Sequence, residues 1–60
     1  MSDEEFVRRL KTIIEKLGLS REQVCRSVHI SKPALARWRE GRELPTPLAR
    51  LPVIEALEAL

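Results

Sequence analysis

The side chains best suited to chemistry in this chain are long cations on one short segment. Residues 32–40 carry Lys32, Arg37 and Arg39 among small and apolar residues. Such cations donate hydrogen bonds to the edges of bases and to phosphate oxygens. They also occur on ordinary solvated helix surfaces, so the elements that position them decide which interpretation applies.

Catalytic and metal chemistry have no support in the residue types. The chain has a single histidine, His29, and a single cysteine, Cys25, whereas a structural zinc ion needs four ligands. There is no nucleophile–base pair, no carboxylate pair and no glycine-rich phosphate loop. We therefore expect no enzyme, no cofactor, no metal and no small-molecule ligand. Cys25 is expected to be a small buried hydrophobe.

The distribution of charge indicates a polyanionic partner. The net charge of the 60 residues is only +2, but residues 8–42 carry ten Lys and Arg against three acids, and the other acids lie near the two ends. A basic middle is the footprint of a nucleic-acid partner, although charge alone does not distinguish it from a solvated surface. The unpaired cysteine, the acidic start and the absence of a long apolar run predict a cytoplasmic protein with no membrane association.

The elements predicted to position these cations are about five short helices, in an all-α bundle that forms one domain over residues 1–60. The first helix is predicted over residues 3–17, ended by Gly18, because its apolar residues recur at spacings of three and four. These residues are Phe6, Leu10, Ile13, Ile14 and Leu17.

The next two helices meet at a tight turn. Ser20 and Gln23 have the spacing of a capping box, which predicts that the second helix begins at Arg21. Ser31 is a candidate N-cap for a third helix over residues 32–40, with a proline in its first turn and Gly41 after its end. Two short helices so closely joined must cross steeply, which is the geometry of a helix-turn-helix.

The last third of the chain is predicted to hold two further helices. Thr46 can cap a short fourth helix that Pro47 opens, and Pro52 is expected to cut or kink it. A fifth helix then covers residues 53–60. Its apolar residues can serve either as core or as a dimer interface, and the candidate interface residues are Leu51, Val53, Ile54, Leu57 and Leu60.

A helical wheel divides the third helix into two sides. The inward side consists of Ala34, Leu35 and Trp38. The outward side consists of Pro33, Ala36, Arg37 and Glu40, with Lys32 and Arg39 on the flanks. Trp38 is therefore expected to pack in the core rather than to stack on a base. The small Ala36 at the outward centre would let the helix enter a major groove about 12 Å wide.

Residues 19–45 resemble the helix-turn-helix of the Cro and CI repressor family, which is XRE-like and phage-repressor-like. The resemblance lies in four segments in order: Ser20-Arg21-Glu22-Gln23-Val24-Cys25, the turn His29-Ile30-Ser31, the buried pair Leu35 and Trp38, and the exit Gly41-Arg42-Glu43-Leu44-Pro45. His29 occupies the position at which the family usually has glycine, so we expect it to adopt a positive φ.

The resemblance implies a lambda-repressor-like fold and a sequence-specific regulator of transcription that represses by occupying double-stranded DNA. It implies that the protein binds a palindromic operator as a homodimer. It also implies a bacterial or phage-encoded protein that associates with the nucleoid when it binds DNA. The implied base contacts are Lys32, Pro33, Ala36 and Arg37. The implied phosphate contacts are Ser20, Arg21, Ser31, Arg39 and Arg42. Arg8, Arg9 and Lys11 are weaker candidates for phosphate contact.

Two rival functions remain open at the level of sequence. One is an accessory DNA-binding factor of the excisionase kind, which usually carries a strand wing after the helix-turn-helix. The other is a protein-interaction module, such as an antitoxin, that has the same fold without DNA contact. The role of Glu40 is also open, because it can pair with Arg37 or accept a hydrogen bond from a cytosine amine.

Overall fold

The computed structural model describes all residues from 1 to 60 and contains four α-helices and no strand. The helices are α1 (Asp3–Leu17), α2 (Arg21–Val28), α3 (Lys32–Arg39) and α4 (Pro47–Glu58). None of them is long and apolar enough to span a membrane. The all-helical prediction is confirmed, with four helices instead of about five.

Helix α1 has the predicted bounds, and both of its ends are capped. The Ser2 hydroxyl accepts a hydrogen bond from the backbone N–H of Glu5 at 3.1 Å. Three acids lie in the first turn, where they interact favourably with the positive end of the helix dipole. Gly18 ends the helix in the left-handed conformation at φ 62°. Its apolar side, including Phe6 and Leu10, is buried in the core.

The turn between α2 and α3 is formed by local capping interactions. Ser20 and Gln23 close a capping box at the start of α2, as predicted. His29 ends α2 at φ 57°, which confirms the positive φ expected where glycine is usual. Ser31 then caps α3 by accepting from the N–H of Ala34 at 3.2 Å. One left-handed residue and one serine cap therefore end α2 and start α3 in a new direction within three residues.

The exit from α3 is closed by a Schellman motif. Gly41 has φ 81° and donates its N–H to the carbonyl of Trp38 at 3.0 Å. The N–H of Arg42 donates to the carbonyl of Arg37 at 2.8 Å. This pair of bonds satisfies carbonyls that the end of a helix leaves free, and it fixes the loop on the last turn of α3.

Helix α4 corrects the prediction of two helices separated at Pro52. Pro52 lies inside one continuous helix and loses only the hydrogen bond that its missing N–H would have made to Leu48. Residues on both sides of the proline, Arg50 and Ile54, are buried, and their packing keeps the helix continuous. Thr46 occupies the N-cap position but makes no side-chain capping bond, while Pro47 opens the helix as predicted.

The core draws apolar side chains from all four helices. Phe6 of α1 meets Trp38 of α3 edge-to-face, with ring centroids 5.7 Å apart and planes at 78°. Trp38 and Cys25 are both buried, so the predictions of a core tryptophan and a core cysteine are confirmed. The nine residues of the core are Phe6, Leu10, Ile13, Val24, Cys25, Leu35, Trp38, Ile54 and Leu57.

Two residues of the predicted dimer interface belong to this core instead. Ile54 is 1% exposed and Leu57 is 0% exposed, because α4 packs these side chains against α1 and α2. Val53 is partly buried against the same cluster. Leu51 and Leu60 remain exposed, and so does Leu48.

Arg50 is the only charged residue in the interior, and it joins three parts of the chain. Its guanidinium donates from Nε to the carbonyl of Pro45 at 2.9 Å and from Nη1 to the carbonyl of Met1 at 3.0 Å. Nη1 also lies 2.7 Å from a carboxylate oxygen of Asp3. The side chain therefore connects α4 to the start of α1 and to the loop after α3.

Replacing Arg50 by methionine should destabilise the fold, because the carbonyls of Met1 and Pro45 lose a charged donor. We expect Arg50→Met to lower the free energy of unfolding by about 2–3 kcal/mol, measured by urea denaturation. Arg26→Met is the matched control, since the exposed ion pair of Arg26 with Glu22 should contribute about 1 kcal/mol or less. Equal urea midpoints for the two variants would show that Arg50 has no stabilising role.

Candidate nucleic-acid interface

Helix α3 presents the predicted outward side to solvent, with one exception. Lys32, Pro33 and Ala36 are exposed, as are Arg39 and Glu40. The exception is Arg37, whose side chain is 40% exposed and turned toward the loop after α3. The face of α3 thus has a small centre at Ala36, with cations on both flanks.

Both serines predicted to contact phosphate serve as helix caps. The hydroxyl oxygens of Ser20 and Ser31 accept from backbone N–H groups of the following turn at 3.1 and 3.2 Å. Each hydroxyl keeps its own O–H as a donor. The backbone N–H of Ser20 is not free, because it donates to Oε1 of Gln23 at 2.8 Å. The N–H groups of Arg21 and Glu22 remain without a partner at the start of α2.

Five of the eleven cations form ion pairs, and the other six have no acid within 4 Å. The ion pairs are Arg9–Glu5, Arg26–Glu22, Arg37–Glu43, Arg42–Glu40 and Arg50–Asp3. The cations without an acidic partner are Arg8, Lys11, Lys16, Arg21, Lys32 and Arg39. The positions of these six side chains therefore show where no acidic side chain balances the positive charge of the surface.

Three of these unpaired cations line one groove beside α3. Lys11 of α1, Arg21 of α2 and Arg39 of α3 surround it together with Ala36 and Glu40. Glu40 is engaged by Arg42, so the positive charge of the groove is not locally compensated. The groove lies between the start of α2 and the outward side of α3, which is where an anion would meet both helices.

Lys11 lies on a different flank of α1 from Arg8 and Arg9, although the sequence makes all three weaker candidates for phosphate contact. Helix α1 has two cationic flanks with different neighbours. Lys11 lies on the flank toward α2 and α3. Arg8, Arg9 and Lys16 line a second groove, against α4. A helical wheel of α1 separates these flanks, but only the packing of α3 shows which one continues the surface of α3.

The acids at the exit of α3 do not form the expected pair of Glu40 with Arg37. Glu40 pairs with Arg42, whose Nε lies 3.0 Å from Oε1, and not with Arg37. Arg37 pairs instead with Glu43, with 2.9 Å between Nε and a carboxylate oxygen. Arg42, an implied phosphate contact, is therefore engaged within the chain, whereas Arg21 and Arg39 are free.

The chain belongs to a helix-turn-helix family: the family model described as "Helix-turn-helix domain" matches residues 5–60. This agrees with the resemblance to XRE-like repressors. Helix-turn-helix domains bind double-stranded DNA through the second helix of the motif, which is α3 in this protein. Proteins with such domains are typically DNA-binding regulators rather than enzymes. No curated protein and no solved structure matches the chain.

Proposed function

We propose that this protein represses transcription by binding a specific, palindromic double-stranded DNA operator as a homodimer. The observation that carries the proposal is the groove in which the unpaired Lys11, Arg21 and Arg39 lie beside the exposed side of α3. Selection of bound duplexes from a random-sequence pool tests it directly. A single enriched, symmetric sequence is expected, and enrichment of no sequence would contradict it.

The groove has the composition of a site for the DNA backbone. Three cations from three helices converge there, and the one acid that lines the groove, Glu40, is already paired with Arg42. The free N–H groups of Arg21 and Glu22 and the hydroxyl of Ser20 add neutral donors near the start of α2. Neutralised phosphates release counterions, so affinity for any duplex should fall steeply with salt.

The exposed side of α3 has the composition of a base-reading surface. Ala36 at its centre allows close approach to the floor of the major groove. Lys32 and Pro33 lie at the N-terminal end, which commonly reaches base edges in this motif. Arg37 lies one turn further along and is long enough to reach guanine O6 and N7. We assign direct readout to these residues, and backbone contact to Ser20, Arg21, Ser31 and Arg39.

Lys11 and Lys16 provide a matched pair for testing the backbone site. Both are exposed, unpaired lysines of α1, but only Lys11 lies on the α3 flank. We expect Lys11→Ala to weaken binding to every duplex severalfold and to reduce the salt slope by about one phosphate. Lys16→Ala should leave both quantities near wild type in titrations at two salt concentrations. Equal losses for the two variants would mean that only net charge matters.

Arg37 and Arg39 test the division between reading bases and contacting the backbone. Arg37→Ala should cost about 1–3 kcal/mol on the selected site and relax the preference at one base pair. Arg39→Ala should weaken the selected and a scrambled duplex alike and lower the salt slope. The measurement is a titration of both variants against both duplexes. An equal loss on the two duplexes for Arg37→Ala would overturn its base-reading role.

The proposal of a homodimer is supported by the exposed leucines of α4. Leu48 is 92% exposed and Leu51 is 48% exposed, and a helical wheel places both on the side away from the core. One eight-residue recognition helix reads few base pairs, so a second copy on a second half-site would supply the missing specificity. Because Ile54 and Leu57 are in the core and Val53 packs against it, the α4 side chains left for this surface are Leu48 and Leu51. Leu60 is also exposed but lies after the end of α4.

Charged substitutions on this surface should separate dimerisation from folding. We expect the Leu48→Glu and Leu51→Glu variants to remain folded. In sedimentation experiments, each should bind a palindromic duplex with one protein chain instead of two. Leu17→Glu is the control, because Leu17 is similarly exposed, at 42%, but lies on α1. A wild-type complex that contains one chain per selected site would contradict the homodimer.

The rival functions predict different behaviour. A protein-interaction module would bind duplexes weakly, and binding to its partner through apolar contacts would change little with salt. An excisionase-like factor would be expected to add a strand wing after the helix-turn-helix, whereas residues 47–58 form α4. Steep salt dependence together with sequence selection would therefore favour the repressor over the interaction module, and the helix in place of a strand wing favours it over the excisionase-like factor.

A further inference from the structure

Glu43 is held in an unusual backbone conformation beside the recognition helix. Its φ is 48°, in the left-handed region that residues other than glycine seldom adopt. In this conformation its carboxylate lies 2.9 Å from Nε of Arg37. The strained residue is therefore the ion-pair partner of the arginine to which the proposed function assigns base reading.

Stability alone does not account for a glutamate at this position. Glycine would adopt the left-handed conformation without steric cost. The ion pair offers little in return, because the Glu43 side chain is 72% exposed and exposed pairs contribute weakly to folding. Strained residues that make a specific contact are often found at functional sites, and the contact here is with Arg37.

The loop holds Glu43 in a fixed position relative to Arg37. The backbone N–H of Arg42 donates to the carbonyl of Arg37 at 2.8 Å, and Gly41 closes the Schellman motif just before it. Arg37 is thus bound twice by the exit loop, at its carbonyl by Arg42 and at its Nε by Glu43. The loop and the last turn of α3 form one unit, so the pairing orients the guanidinium relative to α3.

The atom that Glu43 engages leaves the end of the guanidinium free. Arg37 meets the carboxylate through Nε, so Nη1 and Nη2 keep their hydrogens for a second partner. A guanine offers O6 and N7 side by side to two such donors. We propose that Glu43 is a positioning residue, which holds the Arg37 guanidinium so that it reads a guanine in the major groove. This inference rests on the proposed DNA-binding function.

The neighbouring pair of Glu40 and Arg42 supplies a matched control. Glu40 is also an exposed acid at the exit of α3, and both Nε and Nη2 of Arg42 donate to the same oxygen of Glu40. Neutralising either acid removes one negative charge near the DNA, so both variants should bind a scrambled duplex more tightly. Only the loss of the Glu43 carboxylate should also release Arg37.

The experiment is selection from a random-sequence duplex pool with wild type, Arg37→Ala, Glu43→Gln and Glu40→Gln. Arg37→Ala should abolish the base preference at one position of the selected site. We expect Glu43→Gln to weaken the preference at that same position by about two- to tenfold, because an unrestrained arginine must be ordered on binding. Glu40→Gln should keep that preference.

Glu43→Gly should weaken that preference too, while melting at the wild-type temperature or several degrees higher. A purely structural role predicts that stability and selectivity fall together.

The outcomes separate this inference from the function on which it rests. If wild type selects no sequence, the proposed function fails. If Arg37→Ala flattens no position, Arg37 does not read a base and Glu43 has nothing to position. If Arg37→Ala flattens a position that Glu43→Gln leaves as sharp as in wild type, or sharper, the positioning role of Glu43 is overturned while DNA recognition stands.

Discussion

The packing of α3 against α1 is the contact on which the rest of the structure depends. An eight-residue helix has little stability of its own, so its position is set by what its inward side meets. Leu35 is completely buried, and Trp38 meets Phe6 edge-to-face. These contacts use one side of α3 for the core and leave the other side, centred on Ala36, free to meet a partner.

The same packing explains why particular cations matter. Once α3 lies against α1 and α2, Lys11, Arg21 and Arg39 come to one groove although they are far apart in the sequence. No acid compensates these three side chains, whereas the cations at the exit of α3 are each paired with a glutamate. The surface beside α3 therefore combines free charge, suited to the DNA backbone, with a restrained arginine, suited to a base.

Helix α4 completes the fold by covering the core. Ile54 and Leu57 provide its apolar contacts, and Arg50 connects it to the first residues of the chain and to the loop after α3. This buried polar connection adds to a core of only nine residues. Leu48 and Leu51 lie outside the core and remain exposed on α4.

The sequence by itself determined the local features of this protein. The bounds of α1, the capping box at Ser20 and the serine cap at Ser31 followed from residue types at short spacing, because caps and turns depend on atoms within four residues. The all-helical class and the helix-turn-helix followed from the same signals. The left-handed His29 followed from the resemblance to a family that usually has glycine at that position. The core side of α3 could also be predicted, since helical periodicity places Leu35 and Trp38 together.

Only the tertiary structure decided features that depend on residues distant in sequence. Pro52 suggested a break, but burial of Arg50 and Ile54 on both sides of it keeps α4 continuous. The burial of Arg50 depends on the carbonyls of Met1 and Pro45, which only the folded chain brings within its reach. The convergence of Lys11 with Arg39 was settled in the same way, whereas the pairing of Arg37 with Glu43 rather than Glu40 depends on the conformation of the exit loop. A long charged side chain can reach several partners, and which one it meets depends on how the helices pack.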